Sequence, residues 1–79
     1  MPIVTQLVPL ELLLAGDQAQ ICEIDGTAEF VHRLEEMGLR IGVTLRMVQP
    51  GSPCIVAVGN HRFSLRIDDS AVVLVALES

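Results

Sequence analysis

Few side chains in this chain are equipped for chemistry: Cys22 and Cys54, His32 and His61, and ten carboxylates. His32 with Glu35 or Glu36 has the i,i+3 and i,i+4 spacing that lets two groups on one helical face chelate a metal. Cys22 and Glu23 would approach such a pair from a neighbouring strand. Cys54 and His61 lie on two β-rich runs joined by Gly59-Asn60. A two-residue hairpin there pairs Val58 with His61 and Cys54 with Leu65, which puts Cys54 and His61 at opposite ends and argues against shared ligation. No CxxC or HxxxH spacing reinforces any of these candidates. Each also has a plainer reading: His32 as a solvated helix residue, His61 as a polar strand end, and the cysteines as small packed hydrophobes. No Ser/His/Asp or Cys/His constellation and no GxxxxGK[ST] loop is present, so the expectation is a protein that is not an enzyme.

The elements that position these groups centre on residues 32–42, His32-Arg33-Leu34-Glu35-Glu36-Met37-Gly38-Leu39-Arg40-Ile41-Gly42. Phe30, Leu34 and Met37 fall at i, i+4 and i+7 and share one helical face. Glu29, Arg33 and Glu36 occupy mainly the other, with Glu29 and Arg33 an i,i+4 pair in the favourable order. Thr27 suits the N-cap of a helix running to about Met37. Gly38 is placed to end it as a left-handed C′ residue, with Leu39 folding back on the last turn. Gly42 then turns the chain into a strand.

Before that helix, Met1–Gln6 reads as an apolar lead-in able to add an edge strand. Pro9–Leu14 reads as one or two helical turns, with Pro9 at the first helical position. Gln18–Ile24 reads as a strand, but Ile21 and Ile24 cannot share one face of a regular strand, so a bulge is expected near Cys22-Glu23. After the helix, strands are expected at Val43–Gln49, Cys54–Val58, His61–Leu65 and Val72–Leu77. Pro50–Pro53 forms a loop, Gly59-Asn60 a hairpin, and Ile67–Ala71 a single 3₁₀ or α turn. Five short strands and one helix between the first and second suggest a small, strongly bent β-barrel.

Composition narrows the function. At 79 residues the chain is one domain, residues 1–79, of a size that buries only about 60% of its unfolded surface. Half of it is hydrophobic (51%), with two Phe and no Trp or Tyr, so the core must be aliphatic. The net charge of −5, with five arginines and no lysine, argues against nucleic acid, which needs a basic footprint and, for single strands, aromatic stacking platforms. It equally disfavours anionic membrane surfaces. The longest apolar runs fall far short of the ~20 residues that span a bilayer. No secretory pattern is visible at residues 1–14. The expected location is therefore the cytoplasm.

Taken together, Leu10-x-x-Leu13-x-x-Gly16, Ile21, Leu34-x-x-Met37-Gly38-Leu39-x-x-Gly42, Pro50-Gly51-Ser52-Pro53 and Leu65-Arg66-x-x-Asp69, ending in Val75, resemble the FeoA family in order and spacing. The likeness runs from Leu7 to Val75. Here the proline loop is one residue shorter than the family's, with Ser52 at its Asp position, and Ser70 stands where Ala is frequent. The resemblance implies an SH3-like barrel. It also implies a small cytosolic partner of FeoB, the membrane GTPase that takes up ferrous iron, acting as a regulator or assembly factor. The alternative it implies is a divalent-metal-responsive regulatory or oligomerisation domain, like the C-terminal domain of iron-dependent repressors. That domain works beside a helix-turn-helix, which this chain lacks.

No cofactor is expected, although the acidic surface suits weak binding of Fe²⁺ or another divalent transition metal. For partner binding, Leu34, Met37 and Leu39 at the helix end form a candidate docking patch, with the plainer reading that Leu34 fills the core. An unpaired sheet edge is the other candidate. Arg66 either pairs with Asp68, Asp69 or a helix carboxylate, or faces the partner. Self-association through such surfaces suits so small and apolar a domain.

Overall fold

The computed structural model describes residues 6–78. Six strands, β1 (Leu7–Pro9), β2 (Gln18–Asp25), β3 (Thr44–Gln49), β4 (Cys54–Val58), β5 (His61–Leu65) and β6 (Val72–Leu77), form one antiparallel sheet ordered β1-β6-β2-β3-β4-β5. One helix, α1 (Ala28–Glu36), connects β2 to β3. The expectation of five strands is thus corrected to six, and the described pairings leave the sheet open between β1 and β5 rather than closing it into a barrel. The additional strand is β1, three residues long and paired with β6. Pro9, expected inside a helix, is instead the last residue of β1 and the extended N-cap (ψ 140°) of a single 3₁₀ turn, Leu10–Leu12. The expected Met1–Gln6 lead-in lies, apart from Gln6, outside the described residues.

The sheet curls around one aliphatic core. Leu10, Leu13, Ala19, Ile21, Leu34, Leu39, Leu45, Met47, Cys54, Val56, Leu65, Val73 and Val75 supply it, so every strand but the first contributes a buried side chain. Alternation does this in β3, where Leu45 and Met47 point inward between exposed Thr44 and Arg46. In β2 the expected bulge is present. Ile21 pairs with Val75 and Glu23 with the adjacent Leu74, which leaves Cys22 as the extra residue. A second bulge, at Val48 in β3, bends the sheet again before the proline loop.

Local chemistry sets the helix ends. The Thr27 hydroxyl accepts from the Phe30 N–H at 3.1 Å, capping the first turn. At the other end the Leu39 N–H donates to the Leu34 carbonyl (2.9 Å) and the Gly38 N–H to the Glu35 carbonyl (3.0 Å). This is a Schellman stop around Gly38 at φ +88°, a conformation only glycine adopts cheaply. Leu39 is thereby folded into the core. A second turn follows, closed by the Val43 N–H on the Arg40 carbonyl (3.0 Å), with Gly42 at φ +96°. Gly42 then donates to the Ile21 carbonyl (2.8 Å), which fastens the helix exit to β2. No helix among the described residues is long and apolar enough to cross a membrane.

Candidate functional site: a groove between the helix and the free sheet edge

The metal candidates end up apart. His32 and Glu36 meet on the exposed face of α1, with Nδ1 and Oε1 3.5 Å apart. Glu35 is exposed on the same helix, and its carbonyl accepts from Arg40 Nε (3.4 Å). Cys22 sits half-buried on the β2 bulge, where its thiol donates to the Gln20 carbonyl (3.5 Å). Cys54 and His61 occupy opposite ends of the β4–β5 hairpin, as the expected register of Val58 with His61 and Cys54 with Leu65 requires. Among the described residues, no three His, Cys, Asp or Glu side chains converge in a way that would hold an ion.

Cys54 is buried beneath a cleft of about 200 Å³ bounded by Glu11, Gly51, Ser52, Leu65 and Ile67. Burial pushes its thiol upward from the ordinary 9.0; a backbone hydrogen bond partly offsets this, and the nearby Glu11 carboxylate adds to it. At neutral pH the group is therefore a protonated thiol, and the thiolate is the form that ligates metals or attacks electrophiles.

The partner candidates converge better. Phe30, Leu34 and Met37 line one side of a groove of about 200 Å³, and Ser64, Leu65 and Arg66 line the other; Arg33 stands beside them. The helical face expected from the i, i+4, i+7 spacing is the face turned toward this groove. Leu34, 3% exposed, forms its floor as part of the core, whereas Phe30 and Met37 are half-buried and accessible. Leu39 is a correction to the expected docking patch. Its side chain is 1% exposed because the Schellman turn folds it under the sheet, so it supports the groove without lining it. Arg33 is held by Glu29 at 3.1 Å, as the helix spacing predicts. Arg66 makes no ion pair among the described residues. Phe30, Arg33 and Ser64 were not singled out as site residues from sequence; only Phe30 carried a signal, its place on the apolar helical face.

Beside the groove, β5 pairs among the described residues with β4 alone. The two-residue turn makes Val58–His61 a hydrogen-bonded pair, and such pairs alternate along an antiparallel ladder. Arg62 and Ser64 therefore direct their N–H and C=O groups away from β4, toward the open edge.

A small, open, SH3-like β-sheet, braced by one capped helix and carrying an apolar groove at its free edge, defines the class of this protein. The FeoA domain model matches residues 8–77, nearly the whole chain. The protein belongs to the FeoA domain family. A solved crystal structure described as an iron uptake regulatory protein (FeoA) is similar to it, with 28% identity and a TM-score of 0.82 over 92% of this chain and all (100%) of that one. No protein in a search of curated sequences matches it.

Proposed function

We propose that this protein is a small cytoplasmic accessory factor that binds the cytosolic part of a FeoB-type GTPase ferrous iron transporter and modulates it without catalysis. The observation that carries this reading is the FeoA match over residues 8–77. The groove, with its two accessible apolar side chains and an Arg66 that makes no ion pair among the described residues, suits a docking surface. Modulation requires that the protein bind one state of the transporter more tightly than another, because equal affinity for both shifts nothing. In this reading Phe30 and Met37 supply apolar contact, Arg66 supplies a charge that selects orientation, and Leu34 and Leu39 hold the helix end in place. In this reading iron is the transporter's cargo, and the accessory role requires no resident cofactor.

The test is uptake of radiolabelled ferrous iron by cells lacking the gene for this protein. Wild type restores uptake, whereas Met37→Asp with Arg66→Glu, expressed to the same level, does not. Equal restoration by both, or no defect on deletion, would sink the reading.

A further inference from the structure

The charge on this protein is segregated along the chain. Residues 37–67 contain Arg40, Arg46, Arg62 and Arg66 and no aspartate or glutamate, so all ten carboxylate residues lie outside them. In the fold Arg62 lies on β5 and Arg66 directly after it, so the strand at the open edge carries cations and no carboxylate of its own, while Glu11 stands beside Leu65 in the neighbouring cleft. The opposite edge, β1, is three residues long and ends in Pro9, which has no N–H to offer. The edge at β5 is five residues long and turns outward the N–H and C=O groups of Arg62 and Ser64, which no strand among the described residues pairs.

We infer that β5 is a strand-addition site for an extended, carboxylate-bearing segment of the protein partner. This deepens the partner-binding reading above and rests on it. An added strand would hydrogen-bond to Arg62 and Ser64, and side chains directly opposite one another share a face. A position opposite Arg62 takes one carboxylate, and a position about 13 Å further along the added strand comes beside Arg66, which follows β5 at the mouth of the groove, and takes a second. Positions opposite Phe63 and Leu65 face the core side, where the groove formed by Phe30, Leu34 and Met37 takes apolar side chains. The recognised pattern is acidic–apolar–polar–apolar–acidic. Because it is symmetric, it fits in either strand direction. A second copy of this chain fits poorly: β5 pairing with itself about Ser64 sets Arg62 against Arg66, and opposed like charges destabilise a strand pair. The same arginines that discourage self-association thus favour an acidic strand.

The probe is a blocked synthetic peptide with a Glu-Val-Thr-Val-Glu core, compared with a Lys-Val-Thr-Val-Lys control, by NMR on the labelled full chain. The acidic peptide should protect the Arg62 and Ser64 amides from hydrogen exchange, and the lysine peptide should bind about tenfold or more weakly. Arg62→Glu with Arg66→Glu should reverse that preference. Ser64→Pro removes only an outward N–H, so the chain should keep its fold, checked by circular dichroism, and lose the peptide.

No protection at these two amides, or equal binding of both peptides, overturns the inference. So does retention of the acidic peptide by the folded Ser64→Pro variant. Titration of the transporter's GTPase domain separates the two readings. If that domain binds wild type and Ser64→Pro alike, the partner reading stands and the β5 site falls. If the acidic peptide binds as described and the domain does not, the β5 site stands and the transporter reading falls.

Discussion

Replacing Gly38 with alanine isolates the conformational cost of the helix stop. At φ +88° a Cβ added there meets nothing within 4 Å, so the substitution introduces no collision. What remains is the strain of holding an L-residue in the left-handed region, roughly 1–2 kcal/mol. Part of a further term opposes the first, because alanine also lowers the entropy of the unfolded chain, but at an incompatible φ strain exceeds that gain. The net expectation is a loss of about 1 kcal/mol, equivalent to about 4–8 °C in Tm for a domain of this size. Urea unfolding should show a lower midpoint with an unchanged slope, because the same surface is exposed. Gly38→Asn should recover part of the loss, since asparagine tolerates the left-handed region better than alanine. An unchanged midpoint for Gly38→Ala, or an asparagine variant as damaged as the alanine one, would refute the assignment of Gly38 as the residue that ends α1 and folds Leu39 inward.

Four further outcomes follow from the burial pattern. Burial favours the neutral Cys54 thiol in the folded chain, so on raising the pH the unfolded chain gives up this proton first. Stability from this group is therefore full below the ordinary thiol value of 9.0 and declines as pH rises above it. The contribution should be readable by denaturant titration as the difference between wild type and Cys54→Ala, which keep the other free thiol, Cys22, in common. Leu39→Ala should cost about 2–5 kcal/mol by emptying a core position, seen as a large fall in the unfolding midpoint. Met37→Ala, at a half-buried groove position, should cost about 1 kcal/mol of stability and weaken partner binding about tenfold, read by calorimetry. His32→Ala should leave stability within about 0.5 kcal/mol of wild type, because its contact with Glu36 is a solvent-exposed pair.

The parts of this fold legible in the sequence are those governed by short-range chemistry. Thr27, Gly38 and Gly42 bound the helix and its exit by capping and by positive φ, and neither depends on distant residues. Gly59-Asn60 sets the β4–β5 register in the same way, which is why the separation of Cys54 from His61 could be stated in advance. The β2 bulge was visible because Ile21 and Ile24 violate strand alternation. By contrast β1 is three residues long with a proline, too short for any periodicity, and it exists because β6 offers it a partner some 65 residues later in the chain. The bulge at Val48 leaves no such violation to notice. The openness of the sheet depends on how β1 and β5 end in space, which no local pattern encodes. For the candidate site, the helical half of the groove was legible from Phe30, Leu34 and Met37. Its other half comes from Ser64–Arg66, brought there by the tertiary fold. Leu39 misled because an apolar residue after a helix stop reads equally as a surface patch or as a core anchor, and the direction of the Schellman turn decides which.

The central claim is that this FeoA-domain protein acts by binding a FeoB-type GTPase. It is tested most directly by calorimetric titration of the full chain into the soluble GTPase domain of the cognate transporter, with and without a GTP analogue. The account predicts saturable binding whose affinity differs between the two nucleotide conditions and falls when Met37 and Arg66 are replaced together. Absence of heat in both conditions, confirmed by an equally blank sedimentation profile, would contradict it.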